Sequence, residues 1–232
     1  VPYDWAAEAR IRRWGYHGAS HRYIATRTAE LLGRNDLRII SCHLGGSSSL
    51  CAIRNGRSVA NSLGMSPQTG LPHNNRVGDF DPFALPLLMK HTGKSLSEVL
   101  KLLATEGGLK GLSGTSGDLR DVADAAEQGN PRARLALEVF ASATRHYLGA
   151  YLVELGGADA IVFTAGIGEN NALLRRRALA GLEFLGIQVD SDRNELQSKS
   201  ARLISPDSAS VAVLVIPTNE ELEIARQAAA FA

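Results

Sequence analysis

The sequence predicts an α/β domain: a mixed sheet with helices on both faces. Three observations predict it. A run of two hairpins occupies residues 37–62. Helical and strand patterns then alternate toward the C-terminus. Three glycine-rich turns, Gly45-Gly46, Gly111 to Gly117 and Gly166 to Gly168, end or join strands. In open α/β sheets ligands collect at such strand-end turns.

Taken in order, Ala19 to Leu32 reads as a helix, with Ser20 as its N-cap and Gly33 as its stop. Leu37 to Leu44 reads as a strand, Gly45-Gly46-Ser47-Ser48 as a tight turn of type II′, and Ser49 to Arg54 as a second strand. Asn55-Gly56 is a type I′ turn signal, which makes Arg57 to Ser62 a third strand. Leu63 to Pro82 is a polar loop without periodicity, and loops of that length in compact domains are mostly functional or disordered. Pro82 to His91 and Ser95 to Glu106 read as helices, the second opened by the capping box Ser95-Leu96-Ser97-Glu98. Gly107 to Gly117 reads as a loop, and Pro131 to Leu155 as a long helix stopped by Gly156-Gly157. A buried strand follows at Ala158 to Val162, then a helix from Ala172, short strands at Leu185 to Val189 and Val211 to Ile216, and a last helix from Glu220 capped by Thr218.

The chain has 232 residues, enough for one large domain or two small ones. Its 25 Lys and Arg nearly balance 24 Asp and Glu, so the net charge of +1 points away from a nucleic-acid partner. No apolar run reaches membrane-spanning length, so no membrane partner is expected, and the expected location is the cytoplasm. Two cysteines give neither a disulfide framework nor a metal spacing. A two-residue turn at Gly46-Ser47 puts Cys42 opposite Cys51, within disulfide reach, and the expected cytoplasmic context favours two reduced core-facing thiols over a bridge. The opening Val1-Pro2-Tyr3-Asp4-Trp5 reads as the middle of a longer polypeptide. Gly93-Lys94-Ser95 imitates the end of a P-loop, but Leu88 stands where the first glycine belongs and a helix precedes it.

The segment Phe163-Thr164-Ala165-Gly166-Ile167-Gly168-Glu169-Asn170 joins a buried strand to a helix. Glycines there leave bare N–H groups at a helix start, which suits a phosphate or nucleotide; a plain turn is the commoner use of such glycines.

Six ordered segments resemble the acetate kinase (acetokinase) family. Arg12-Arg13-Trp14-Gly15-Tyr16-His17-Gly18-Ala19-Ser20-His21 is similar to R-R-Y-G-F-H-G-T-S-H, and His43-Leu44-Gly45-Gly46-Ser47-Ser48 to H-L-G-N-G-x-S. Arg76-Val77-Gly78-Asp79-Phe80-Asp81-Pro82 is similar to R-S-G-D-I-D-P, and Ser113 to Asp121 to a loop ending D-x-R-D. Phe163 to Asn170 is similar to F-T-G-G-I-G-E-N, and Pro217-Thr218-Asn219-Glu220-Glu221 to T-N-E-E.

The resemblance implies the actin-like, sugar-kinase ATPase (ribonuclease H-like) fold. It implies that residues 1–232 are the C-terminal nucleotide-binding domain of a two-domain kinase whose N-terminal domain, with a catalytic aspartate, is absent from this chain. It implies reversible phosphoryl transfer from ATP to acetate, giving acetyl phosphate and ADP. The alternatives are a propionate- or butyrate-type kinase, or a nucleotide-binding or dimerisation module without activity. By resemblance His17 donates to the transferring phosphoryl and Arg76 grips it with a planar fork. His43, Leu44, Gly45, Gly46 and Ser47 form a first phosphate loop. Asp118, Leu119 and Arg120 meet the adenosine side, and Gly166, Ile167, Gly168, Glu169 and Asn170 form a second nucleotide loop. Tyr16 and Pro67 line the pocket for the acid's alkyl group, and Glu220 is linked to Mg2+ (or Mn2+). His21 orients its neighbours, and a homodimer is implied.

The sequence departs from the pattern in three places. Gly46-Ser47 stands for the usual Asn-Gly, Leu71-Pro72-His73-Asn74-Asn75 for L-M-M-G-T, and Tyr16 for Phe. The second and third are expected to shift acid preference.

Overall fold

The computed structural model of the chain describes residues 1–231. Its helices are α1 Tyr3–Glu8, α2 Gly18–Leu32, α3 Leu85–Thr92, α4 Leu96–Thr105, α5 Gly108–Ser113, α6 Leu119–Glu127, α7 Pro131–Leu155, α8 Ala165–Asn170, α9 Ala172–Leu179, α10 Ser191–Glu195 and α11 Glu220–Ala229. Its strands are β1 Arg38–His43, β2 Ser49–Arg54, β3 Arg57–Asn61, β4 Ala160–Thr164, β5 Arg202–Leu203 and β6 Ala212–Val215. The chain divides into two compact units. A sheet unit comprises Gly15–Gly45, Ser49–Ser62 and the chain from Thr144 onward. A helical unit comprises Val1–Trp14, Gly46–Ser48 and Leu63–Ala143.

In the sheet unit six strands run in the order β3-β2-β1-β4-β6-β5. The meander β1-β2-β3 is antiparallel, whereas β1, β4 and β6 are mutually parallel. Every residue of β4 is buried, as a strand covered on both faces requires. One face carries Ile39, Cys51, Ile53, Ala160, Val162 and Leu214, with Ile24 and Ala25 of α2 packed on it. The strand register sets the composition of that face toward the C-terminal end of β1. His43 pairs with Ser49 and Thr164, and Ser41 with Cys51 and Val162, so the face turns from apolar to polar beside the start of α2.

In the helical unit the long loop 63–81 is ordered by its own polar groups. Gly70 N–H donates to Asp79 Oδ1 (2.8 Å), and Gly64 N–H to Thr69 Oγ1 (2.8 Å). Its centre is clamped from outside: Leu109 N–H donates to His73 O (2.8 Å), and Lys110 N–H to Asn74 O (2.9 Å). Glycine is required opposite, because a Cβ at Gly117 would lie 2.7 Å from Asn74 O.

Several expectations need correction. The β1–β2 connection is five residues, Leu44 to Ser48, and Gly46 has no positive φ, so it is not a type II′ turn. Ser41 faces Cys51 and Cys42 faces Leu50, so the two buried thiols lie on opposite faces of the sheet. The Asn55-Gly56 turn is as expected, both residues having positive φ. Helix α2 starts at Gly18, with His17 in the cap position at φ 58°, ψ 35°. Helices α1, α5, α6 and α8 stand where the sequence pattern suggests irregular chain. Leu185 to Val189 is no strand: a 3-10 turn and a single bridge between Ile187 and Val211 stand there. Asn219, not Thr218, caps α11 by accepting from Leu222 N–H (3.0 Å).

Candidate active site

In the sheet unit the polar end of the β1 row meets the first turn of α2 in a cluster of three histidines. His17 Nδ1 lies 2.9 Å from Ser49 Oγ. His21, one turn later, lies with Nε2 2.7 Å from the same Ser49 Oγ and Nδ1 2.9 Å from Ser41 Oγ. The His17 ring stacks on His43, centroids 4.0 Å apart at 16°. His43 Nδ1 in turn lies 2.8 Å from Ser20 Oγ, which accepts from Thr218 Oγ1 (3.0 Å). Thr218 N–H donates to Glu169 Oε1 (3.2 Å). One connected network thus joins α2, β1, β2, α8 and the start of α11.

The charge state follows from burial. His21 is held well below the usual histidine range, by burial first and then by His43 and His17. His43 is pushed down to about 3, again by burial first, then by His17. Both rings are therefore neutral at neutral pH. A hydroxyl has a single hydrogen and two lone pairs, so Ser49 can donate to at most one of the two imidazoles. If it donates to His17 Nδ1, His21 Nε2–H donates to Ser49 and His17 carries its proton on Nε2. The opposite arrangement puts the His17 proton on Nδ1.

The segment expected as the second nucleotide loop is the short helix α8. Its Ile167 and Gly168 N–H groups are not bare: both donate to Leu44 O (2.8 and 3.0 Å), which ties this loop to the end of β1. The far end of α8 rests on Arg175, a residue that sequence reasoning passes over in the run Arg175-Arg176-Arg177. Arg175 is fully buried. Its guanidinium donates to Gly168 O (2.9 Å), Glu169 O (2.9 Å), and the Oδ1 (2.8 Å) and backbone O (2.6 Å) of Asn194. Burial, then Arg202, pushes it down to about 10. A cation at carbonyls ending a helix is well placed electrostatically. The signal in sequence is Leu174, Ala178 and Leu179, which put residue 175 beside the inner face of α9. Thr164 Oγ1 is buried in the polar row without a hydrogen-bond partner among the described residues. Asn170 closes its own turn on Gly166 O (2.8 Å). Tyr16 O accepts from Asn61 Nδ2 (3.2 Å), and Glu220 is half-exposed at the first position of α11.

The helical unit holds the remaining candidates. Arg76 is half-buried, and burial lowers its pKa from the ordinary arginine value. Among the described residues no carboxylate lies within ion-pair distance of it. Asp118 caps α6 and is gripped by Arg120 through Nε (3.1 Å) and Nη2 (2.6 Å), which holds it down at about 2. Leu119 is buried and packs in the core. Pro67 and Ser47 are half-buried, and Gly46 is exposed. His73 is fully buried: Nδ1 accepts from Ser48 N–H (3.0 Å) and Nε2 reaches Thr69 O (3.1 Å). The His73 departure therefore braces two loops. Among the described residues no group of three or more His, Cys, Asp or Glu is placed to hold a metal, and no helix is long and apolar enough to cross a membrane.

Known proteins resemble this chain along almost all of its length. An acetate kinase of Clavibacter sepedonicus is 54% identical over 227 residues, covering 97% of this chain and 57% of that protein. The crystal structure of Porphyromonas gingivalis acetate kinase superimposes with a TM-score of 0.94 at 41% identity, over 98% of this chain and 57% of that one. A propionate kinase from Francisella tularensis superimposes with a TM-score of 0.91 at 33% identity, over 98% of this chain and 58% of that one. The chain thus spans a little over half the length of the relatives it matches, and the actin-like ATPase fold expected of it is the one they share. The family model of the acetokinases matches residues 1–226, and the chain belongs to the acetokinase family.

Proposed function

We propose that the protein carrying this chain transfers phosphoryl reversibly between ATP and a short-chain carboxylate, acetate by default, and that this chain is its C-terminal nucleotide-binding domain. Family membership over residues 1–226 carries the reaction class. The relatives named acetate kinase favour acetate over propionate.

In this reading His17 presents Nε2–H to the transferring phosphoryl. The Ser41, His21, Ser49 chain allows it: donors passed in that order leave the His17 proton on Nε2. Stacking on a neutral His43 holds the ring plane. Arg76, a half-buried cation without a carboxylate partner among the described residues, balances phosphoryl charge. The loops at Gly45–Ser47 and Gly166–Asn170 hold the phosphates, the second fastened to Leu44 O, and Asp118 with Arg120 meets the adenosine side. Tyr16 and Pro67 line the acid pocket. A single half-exposed Glu220 fits Mg2+, which takes one or two carboxylates and otherwise waters and phosphate oxygens. When bound, the ion supplies charge neutralisation. The protein is a cytoplasmic homodimer in this reading; exposed Phe184 and Ile224 offer apolar surface to a second copy, and the free thiols suit a reducing compartment.

The test is acyl phosphate formation by the full-length protein with ATP, Mg2+ and each of the C2 to C4 acids. Acetate giving the highest kcat/KM supports the reading. Propionate or butyrate exceeding it moves the assignment to that acid. No product with any acid overturns it. The 232-residue chain alone should bind ATP weakly and form no acetyl phosphate.

A further inference from the structure

We infer that Asn74 is a substrate-contacting residue of this protein, its carboxamide having taken over the place of a side chain at position 46. The inference rests on the proposed phosphoryl transfer. Two of the sequence's departures are reciprocal. Where the resembled pattern has Asn at 46 and Gly at 74, this chain has Gly46 and Asn74.

The geometry joins the two positions within the helical unit. Gly46 has no positive φ, so its backbone does not demand glycine. What crowds a side chain there is Asn74: a Cβ built on Gly46 would lie 3.3 Å from Asn74 Nδ2, so the amide would have to shift by a few tenths of an ångström, and 3.7 Å from its Cγ. The space beside the loop is already filled by an amide. The main chains are fastened as well, Asn74 N–H donating to Gly46 O (3.1 Å). Asn74 O is pinned by Lys110 N–H (2.9 Å), and its neighbour His73 is pinned to Ser48 N–H, so the carboxamide stands on a fixed base. Asn74 does not have positive φ, so the asparagine is unstrained.

The amide itself is unfinished. Asn74 Oδ1 is buried and has no hydrogen-bond partner among the described residues. A buried acceptor left unpaired is costly, and its retention at a ligand loop points to a ligand donor. Nδ2–H2, beside exposed Gly46, is the group free to donate to a phosphoryl oxygen. The group recognised is a phosphate bearing a neighbouring hydroxyl or metal-bound water.

A double-mutant cycle in the full-length protein tests this: Gly46→Asn, Asn74→Gly and the pair, read as kcat/KM for ATP and as thermal midpoint. Each single change should lower kcat/KM about tenfold, the first by crowding and the second by loss of the amide. The pair should return to within about threefold of the parent, because the amide is restored from the other side. Isosteric Asn74→Asp, which keeps the shape and adds a negative charge, should raise the KM for ATP about tenfold or more, with a midpoint that falls because the buried oxygen now carries charge but stays above the assay temperature. Additive losses in both readouts overturn the exchange. Coupling in the midpoint without coupling in kcat/KM, or an Asn74→Asp enzyme with unchanged KM, shows that Asn74 only fills space and overturns its contact with substrate. A parent without kinase activity defeats the proposed function; the midpoint cycle still decides whether the two positions exchanged.

Discussion

Ser49 Oγ lies 2.9 Å from His17 Nδ1, and its other contact, at 2.7 Å, is Nε2 of buried His21. One hydroxyl thus reads the protonation of one imidazole and sets that of another. Ser49→Ala removes this control while keeping the fold, because the lost group is small. The full-length protein should lose roughly 10- to 100-fold in kcat with little change in the KM for ATP, since the wrong tautomer hurts only the transition state. Ser49→Thr, which keeps the hydroxyl, should recover much of the loss. Equal kcat in the alanine variant would reduce the network to packing.

The same histidines make stability depend on pH. His43 binds its proton at about 3 in the folded chain and near 6.5 when unfolded, and His21 is shifted in the same direction. Below 6.5 the unfolded state binds more protons, so stability is full above that value and is lost as pH falls toward 3. From about pH 7 to about pH 5 the loss should be about 1–2 kcal/mol for His43, and His21 adds to it in the same direction. Urea unfolding at the two pH values measures it, and His43→Gln should flatten the slope. A pH-independent midpoint would contradict the buried, neutral assignment.

Arg76→Ala should lower kcat of the full-length protein by ~10²–10³ and raise the KM for ATP much less, as loss of a group engaged mainly in the transition state does. Steady-state kinetics of the variant decides this. A near-normal kcat would return Arg76 to the role of an ordinary loop residue.

Ala165 opens α8 at φ 64°, a conformation that costs an alanine about 1 kcal/mol relative to glycine. Ala165→Gly should therefore stabilise the chain by no more than about 0.6 kcal/mol once the entropy of the unfolded glycine, about 0.4–1 kcal/mol, is subtracted. Chemical denaturation of the two proteins measures it. A destabilised variant would mean that packing of the 8%-exposed methyl outweighs the strain.

The meander, the capping box at Ser95 and the long α7 are legible in the sequence because each rests on local chemistry: a turn dipeptide, a cap, a helical period. Helices α5 and α6 are hidden, because their glycines and polar caps look like loop. There the glycines serve close approach of backbone to the 71–76 loop, a long-range demand no local pattern reports. His17 and His43 are legible as candidates through their flanking motifs. The serines are not. Ser20 reads as a helix cap and Ser49 as the first residue of a strand, and only the packing of α2 against the β1–β2 pair shows that they hold the two imidazoles. Arg175 is hidden for the opposite reason, since a run of three arginines on a helix ordinarily faces water.

The most direct test is acetyl phosphate formation by the full-length protein with ATP and Mg2+, measured beside its His17→Ala variant. The account predicts steady production by the parent, and a variant that keeps its KM for ATP while kcat falls ~10²–10³. A parent that makes no acyl phosphate from any C2 to C4 acid, or a variant that turns over as fast as the parent, would contradict it.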